Sequence, residues 1–335
     1  MANSITGPAA KLGRSALLLL VSAIAAATLT HLISPTGHTA GKDKFNGMVI
    51  GPQVDIDRAI PKLDALGVNT VRLRMSVRDW SRPSANTGTD AYDGALRQAP
   101  KLKDKGYRVV LQVASEGGTM PSYDRSRAVF QWLLTRPGAK SVDVVEVLGP
   151  VTVQDSDALA FSTTLSRSEQ ARRYVDGPLR AADDVFHKAQ KKVLGAAFTP
   201  WQQAAERSPK GSWNLEVTKA YVAAGYLDRV DYAGFHPDVS TAADQEVWVR
   251  RAAALFGKKP IWVSEWRLNR QAFDGDPAYL AAMGTARSGL HGRLGAACYA
   301  GFTRTEGEVP VTRGGLGGYQ EDDPAFGTYR DWAHG

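Results

Sequence analysis

The sequence predicts an α/β protein, a (β/α)₈ TIM barrel preceded by an N-terminal hydrophobic helix. From residue 45 onward, short apolar strand patterns alternate with helical patterns through the rest of the 335-residue chain. Eight strand-then-helix units of this kind are typical of a closed barrel, and an open doubly wound sheet is the alternative. The glycine-rich run 314–318 does not stand between a strand and a helix, so no nucleotide-binding fingerprint supports that alternative.

The predicted strands are short and mostly apolar, as expected for strands buried on both faces. They cover Phe45–Gly51, Val68–Met75, Tyr107–Ala114, Val142–Leu148, Val193–Thr199, Val230–His236, Pro260–Glu265 and Ala296–Phe302. Helical spacing of apolar residues, often ended by glycine, predicts the intervening helices. These cover 56–67, 92–105, 124–134, 168–191 with a break at Gly177-Pro178, 214–224, 242–256, 277–290 and 324–332.

Composition narrows the function classes. The formal net charge is +7, but the basic residues are scattered, which argues against nucleic-acid binding and leaves an anionic surface or an acidic glycan open. Cys298 is the single cysteine, so no intrachain disulfide and no cysteine-based metal site can form. The six histidines are dispersed, and we expect neither a metal nor a cofactor.

The N-terminus predicts export. Lys11 and Arg14 precede an apolar run from Ser15 to about Ile33, which has the form of a signal peptide and the length of a membrane anchor. We therefore divide the chain into a signal peptide or anchor (1–33), a linker (34–43) and the barrel domain (44–335). The positive flank predicts that the barrel lies outside the cytoplasm, tethered to the membrane if the segment is not cleaved. A buried N-terminal helix is the alternative.

Catalytic groups of such barrels lie at the C-terminal ends of the strands. Glu265 closes the apolar seventh strand, where a carboxylate must be paired or functional. A salt bridge to Arg72 or Arg74 of the second strand is the structural alternative, and it is compatible with catalysis because an arginine keeps a nucleophile ionised.

Other strand ends supply candidates for ligand binding. His236 ends the sixth strand and is either a contact to substrate or to Glu265, or a histidine bonded to a neighbouring carbonyl. Trp201 and Trp266 follow strand ends, where an indole could stack on a sugar ring or simply pack a helix against the sheet.

These residues resemble clan A glycoside hydrolases of the cellulase and β-xylosidase type. The run 260–266 is similar to the strand-seven motif whose glutamate is the nucleophile of a retaining mechanism, which here is Glu265. The run 231–237 is similar to the strand-six motif that supplies an active-site histidine, here His236. The run 67–72 is similar to the strand-two segment whose arginine supports the nucleophile, here Arg72.

One departure concerns the acid. The family carries Asn-Glu-Pro at the end of strand four, and that glutamate is the general acid/base. Gly149 and Pro150 occupy those places here, while Glu146 matches an upstream residue of the strand. Glu116, at the end of the third strand, is a candidate substitute, as are Asp155 and Asp157.

The resemblance implies a retaining hydrolase of O-glycosidic bonds in a poly- or oligosaccharide. The missing acid favours an alternative, a catalytically inactive glycan-binding barrel that supports polysaccharide synthesis or export. A barrel enzyme acting on a phosphorylated metabolite is a third hypothesis, which the predicted export disfavours.

Overall fold

The computed structural model describes residues 46–52, 54–88, 90–116, 120–149, 165–199, 215–237, 242–266 and 293–299, with scattered residues between 281 and 334. The predicted anchor and linker, residues 1–43, lie outside this part of the chain. Among the residues described, no helix is both long and apolar enough to cross a membrane.

Eight strands form a single parallel sheet. They are β1 (Asn46–Ile50), β2 (Thr70–Val77), β3 (Arg108–Ser115), β4 (Val144–Val147), β5 (Lys192–Leu194), β6 (Ala233–Gly234), β7 (Ile261–Trp266) and β8 (Leu294–Tyr299). Their spatial order is β5-β4-β3-β2-β1-β8-β7-β6, so each strand lies beside its neighbour in sequence and β1 pairs with β8.

The two ends of this sheet meet and bring the barrel almost to closure. Isolated parallel bridges join Leu194 to Tyr232 and Phe198 to Phe235. A Cβ atom at Gly234 would stand 2.5 Å from the carbonyl oxygen of Gly195, so the chains can approach this closely only because Gly234 has no side chain. The predicted α/β barrel is confirmed, with β5 and β6 shorter than the sequence predicts because bridges replace a continuous ladder between them.

Seven helices of the described part follow the strands. They are α1 (Ile56–Ala65), α2 (Ala95–Asp104), α3 (Tyr123–Leu134), α4 (Arg167–Tyr174), α5 (Arg180–Phe186), α6 (Glu216–Ala223) and α7 (Ala242–Leu255). Side-chain caps begin several of them: the Asp55 carboxylate accepts a hydrogen bond from the amide of Asp57 at the start of α1. The predicted break between α4 and α5 is confirmed, because Gly177 leaves the helical conformation beside Pro178.

The core has two layers that follow from strand alternation. Residues such as Leu73, Met75 and Val263 point outward into a large cluster with the helices. A smaller cluster fills the inside of the barrel with Val110, Val144, Leu194, Trp262 and Ala296. The inside of the barrel is therefore filled with apolar side chains, and the polar side chains of β2, β4 and β7 lie nearer the C-terminal ends of the strands.

Candidate active site

A buried arginine joins two glutamates inside the barrel. Arg72 of β2 donates from Nε to Oε2 of Glu146 at 2.6 Å and from Nη1 to Oε2 of Glu265 at 3.0 Å. The side chains of Arg72 and Glu146 are 1% and 0% exposed, whereas that of Glu265 is 19% exposed. Of the two carboxylates, Glu265 is therefore the one that a ligand could reach.

A second chain of hydrogen bonds supports Glu146 from β7. The Ser264 hydroxyl donates to Oε1 of Glu146 at 3.0 Å, and Nε2 of His236 lies 2.8 Å from the same hydroxyl oxygen. Because a serine hydroxyl has one proton, and that proton goes to Glu146, the His236 ring donates from Nε2 to Ser264. His236 thus contacts the residue next to Glu265, and the chain of hydrogen bonds joins the segment after β6 to β7, β4 and β2.

Burial and charge set the protonation of this cluster. Burial by itself would lower the pKa of Arg72, but the carboxylates of Glu146 and Glu265 outweigh it and raise that pKa, so the guanidinium stays charged. Burial raises the pKa of Glu146 above its ordinary value, although the Arg72 charge and the Ser264 hydroxyl both oppose the rise. One fixed cation therefore faces two carboxyl groups.

An irregularity in β7 directs Glu265 into the site. Val263 pairs with Ala297 and Trp266 pairs with Tyr299, so three steps along β7 match two steps along β8. One extra residue in a strand is a β-bulge, which changes the face to which the following side chains point. It lets Ser264 and Glu265, consecutive residues, both bond to partners inside the barrel.

The same bulge turns Trp266 outward. Its indole belongs to the outer core cluster and is 1% exposed, whereas Trp262, four residues earlier, packs in the inner cluster. Stacking on a sugar requires an open ring face. This placement gives Trp266 a packing role in the barrel wall, and its predicted role as a sugar platform stays a prediction.

The other predicted residues are distributed as follows. Glu116 follows β3, is 37% exposed and pairs with Arg78, whose Nε lies 3.3 Å from its Oε2. It shares no described contact with Glu265. Trp201, Asp155 and Asp157 lie outside the described residues.

The end of β4 has an unusual backbone. Leu148 is buried and has φ of 66°, a left-handed conformation that costs a branched residue about 1–2 kcal/mol. Its amide donates to the carbonyl of Val113 on β3, which helps to hold the conformation. Gly149, which stands where the resembled family has asparagine, follows directly and is also buried.

Sequence reasoning gave Glu146 and Ser264 no role in the site. Glu146 lies in an apolar strand, the same feature that identified Glu265, so it could have been found by that criterion. Nothing in the sequence distinguishes Ser264 from other serines, because its role depends on the meeting of β4, β6 and β7. Within the described ranges, no group of three or more potential ligands could hold a metal ion.

Known structures share this architecture. The chain resembles the catalytic domain of the major endoglucanase from Xanthomonas campestris at 12% identity and a TM-score of 0.54, over 87% of this chain and 95% of that one. It resembles an endo-1,4-β-D-mannanase from Thermotoga petrophila at 12% identity and 0.53, over 87% and 99%. A GH5 protein from Bifidobacterium longum in complex with Manβ1-4GlcNAc matches at 13% identity and 0.59, over 87% and 78%.

No protein-family model matches the chain, and a comparison with curated proteins gives no match. At these identities the structural likeness shows the fold. The protein has a (β/α)₈ barrel similar to the barrels of these glycoside hydrolases, as the resemblance of its strand motifs leads one to expect.

Proposed function

We propose that the protein is a retaining glycoside hydrolase of a poly- or oligosaccharide, with Glu265 as the nucleophile. The observation that carries the proposal is the partly exposed Glu265 carboxylate at the end of β7, held by the buried guanidinium of Arg72. A carboxylate held this way is fixed in direction, as attack on an anomeric carbon requires. Arg72 would position Glu265, and Glu146 with Ser264 would position Arg72.

The general acid must be a second carboxyl about 5–5.5 Å from the nucleophile. Glu146 and Glu265 both bind the guanidinium of Arg72. Glu146, however, is fully buried, and its two carboxylate oxygens bond to Arg72 and Ser264. It therefore cannot reach a leaving group without breaking both contacts. We propose Glu116, which is partly exposed at the end of β3, as the acid.

The test is covalent trapping. The full chain is incubated with 2-deoxy-2-fluoro glycosides that carry dinitrophenolate leaving groups, and the intact protein is weighed. Such leaving groups need no acid, so an adduct on Glu265 that is absent from Glu265→Gln would establish the nucleophile. The matched variant Glu116→Gln should still form the adduct, yet lose about 10²–10⁴-fold in hydrolysis of unactivated glycosides.

A glycan-binding barrel without catalysis is the second candidate. It is favoured by Gly149, whose backbone stands at the end of β4 where the resembled family carries its Asn-Glu pair. This candidate predicts that the protein binds an oligosaccharide, that no sugar of the series forms an adduct with the protein, and that no hydrolysis product appears on prolonged incubation.

We also propose that the protein works outside the cytoplasm, on the basis of Lys11, Arg14 and the apolar run that follows them. Sequencing the N-terminus of the mature protein tests this proposal. A mature chain beginning near residue 34 would indicate a signal peptide, and an intact N-terminus in the membrane fraction would indicate an anchor. An intact N-terminus in the cytoplasmic fraction would contradict export.

A further inference from the structure

Arg74 is the next residue after Arg72 on the inner face of β2. Leu73, between the two arginines, and Met75, after Arg74, pack in the outer core cluster. Arg72 instead bonds to Glu146 and Glu265 inside the barrel. Since side chains of a strand alternate between its faces, Arg74 shares the inner face with Arg72. It lies two residues, about 7 Å, closer to the C-terminal end of the strand.

The register between strands relates Arg74 to the buried part of the site. Arg74 pairs with Gln112 of β3, and Gln112 pairs with Glu146 of β4. Gln112 and Glu146 are buried, whereas Arg74 is exposed. On this side of the barrel, the opening above the site therefore begins at Arg74.

The guanidinium of Arg74 forms no ion pair or hydrogen bond with the residues that the structure describes. The neighbouring arginines toward this end of β2 are paired with carboxylates: Arg72 with Glu146 and Glu265, and Arg78, just beyond the strand, with Glu116. Among the described residues, Arg74 is therefore an exposed positive charge without an ion-pair partner, on the same inner face of β2 as the arginine that holds Glu265.

We propose that Arg74 selects glycans with an anionic substituent, a carboxylate or a sulfate, on the sugar bound at Glu265 or on its neighbour. A guanidinium matches the two oxygens of a carboxylate or sulfate with parallel hydrogen bonds, which a neutral hydroxymethyl group cannot accept in the same way. The net charge of +7 would in addition draw a polyanionic chain toward the protein. This inference rests on the proposed function, because it assumes that the opening above the site binds the sugar.

The test measures binding, which requires no hydrolysis. Short oligosaccharides of glucuronate, galacturonate and mannuronate are compared with their carboxyl-reduced, neutral counterparts and with sulfated forms of those counterparts, by calorimetry on the full chain. The unaltered protein should bind at least one acidic member about tenfold more tightly than its neutral counterpart. Tighter binding of the uronate or of the sulfate ester identifies which anion the site takes.

Arg74→Gln should remove this difference and leave the affinity for the neutral member unchanged. The matched control is Arg125→Gln, which removes the same charge from the exposed surface of α3. If Arg74→Gln keeps the preference, or if both variants reduce it equally, general attraction by net charge accounts for it and the inference is wrong. Equal or absent binding of acidic and neutral members by the unaltered protein also overturns it.

The outcome is independent of the trapping experiment. An adduct on Glu265 without any acidic preference would support the hydrolase and reject the role of Arg74. An Arg74-dependent preference without an adduct would reject the hydrolase and support a barrel that binds acidic glycans.

Discussion

Arg72 and Glu265 form an ion pair of 3.0 Å that joins β2 to β7 across the barrel, although the two residues are 193 positions apart in the chain. The pair is asymmetric, because the guanidinium is buried and the carboxylate is partly open to solvent. Its strength therefore depends on what else neutralises Arg72, and that second partner is the buried Glu146.

Removal of Arg72 should destabilise the fold strongly. Arg72→Met leaves the Glu146 carboxylate buried without its cation, and we expect the free energy of unfolding to fall by about 3–5 kcal/mol. Urea unfolding measures the change. The double variant Arg72→Met/Glu146→Met, which buries no unpaired charge, should recover much of the loss. A single variant as stable as the unaltered protein would show that Glu146 does not need Arg72.

Ser264 should contribute through its position between Glu146 and His236. Ser264→Ala removes one acceptor and one donor from two buried groups, and we expect a loss of about 1–3 kcal/mol in the free energy of unfolding. The control is Ser126→Ala on α3, since the buried Ser126 hydroxyl has no hydrogen-bond partner among the described residues. Equal effects of the two variants would contradict the proposed bonding chain.

His187 should make stability depend on pH. Its ring nitrogens each lie 2.7 Å from a carboxylate oxygen, Nδ1 from Asp183 and Nε2 from Asp231. Although burial lowers the pKa of His187, hydrogen bonds to Asp231 and Asp183 outweigh it and raise that pKa. A raised pKa in the folded state stabilises the protein fully below the ordinary histidine value of about 6.5, and the contribution disappears as pH rises through the folded value.

We therefore expect His187→Gln to cost about 1 kcal/mol or less at pH 6, given the partial exposure of the ring, and to cost less at pH 9. Urea unfolding at both pH values measures the two differences. The control is Lys188→Gln, an exposed neighbour that forms no ion pair with the described residues. A cost that does not shrink between pH 6 and pH 9 would exclude a role for the His187 charge.

Cys298 should be unreactive in the folded protein. It is buried inside the barrel opposite Gly47, and burial raises its pKa to about 12, although the Arg72 charge opposes the rise. Because only the thiolate is alkylated, iodoacetamide at pH 8 should label the native chain at least about a thousandfold more slowly than the chain unfolded in urea. The label is unambiguous, since Cys298 is the single cysteine. Rapid labelling in native buffer would mean that the barrel interior is open at this position.

The barrel and the identity of its strand-end residues follow from the sequence because both depend on local patterns. Strand and helix patterns alternate along the chain. Charged residues such as Glu265 and Arg72 stand out because they interrupt apolar strands, in which an unpaired charge is costly. The break at Gly177-Pro178 was predictable for the same reason, since glycine and proline act on the backbone where they stand.

Tertiary structure decided which of these residues meet and which way they face. The residue pattern left both Arg72 and Arg74 open as the partner of Glu265, and only the family resemblance favoured Arg72, because the choice depends on how far along β2 the register of the closed barrel places each guanidinium. The sequence could not show that one extra residue in β7 turns Glu265 inward and Trp266 outward, since a bulge is defined only against the strand beside it. Strands form from the pattern of short segments, whereas the site requires residues that β2, β4, β7 and the segment after β6 bring together.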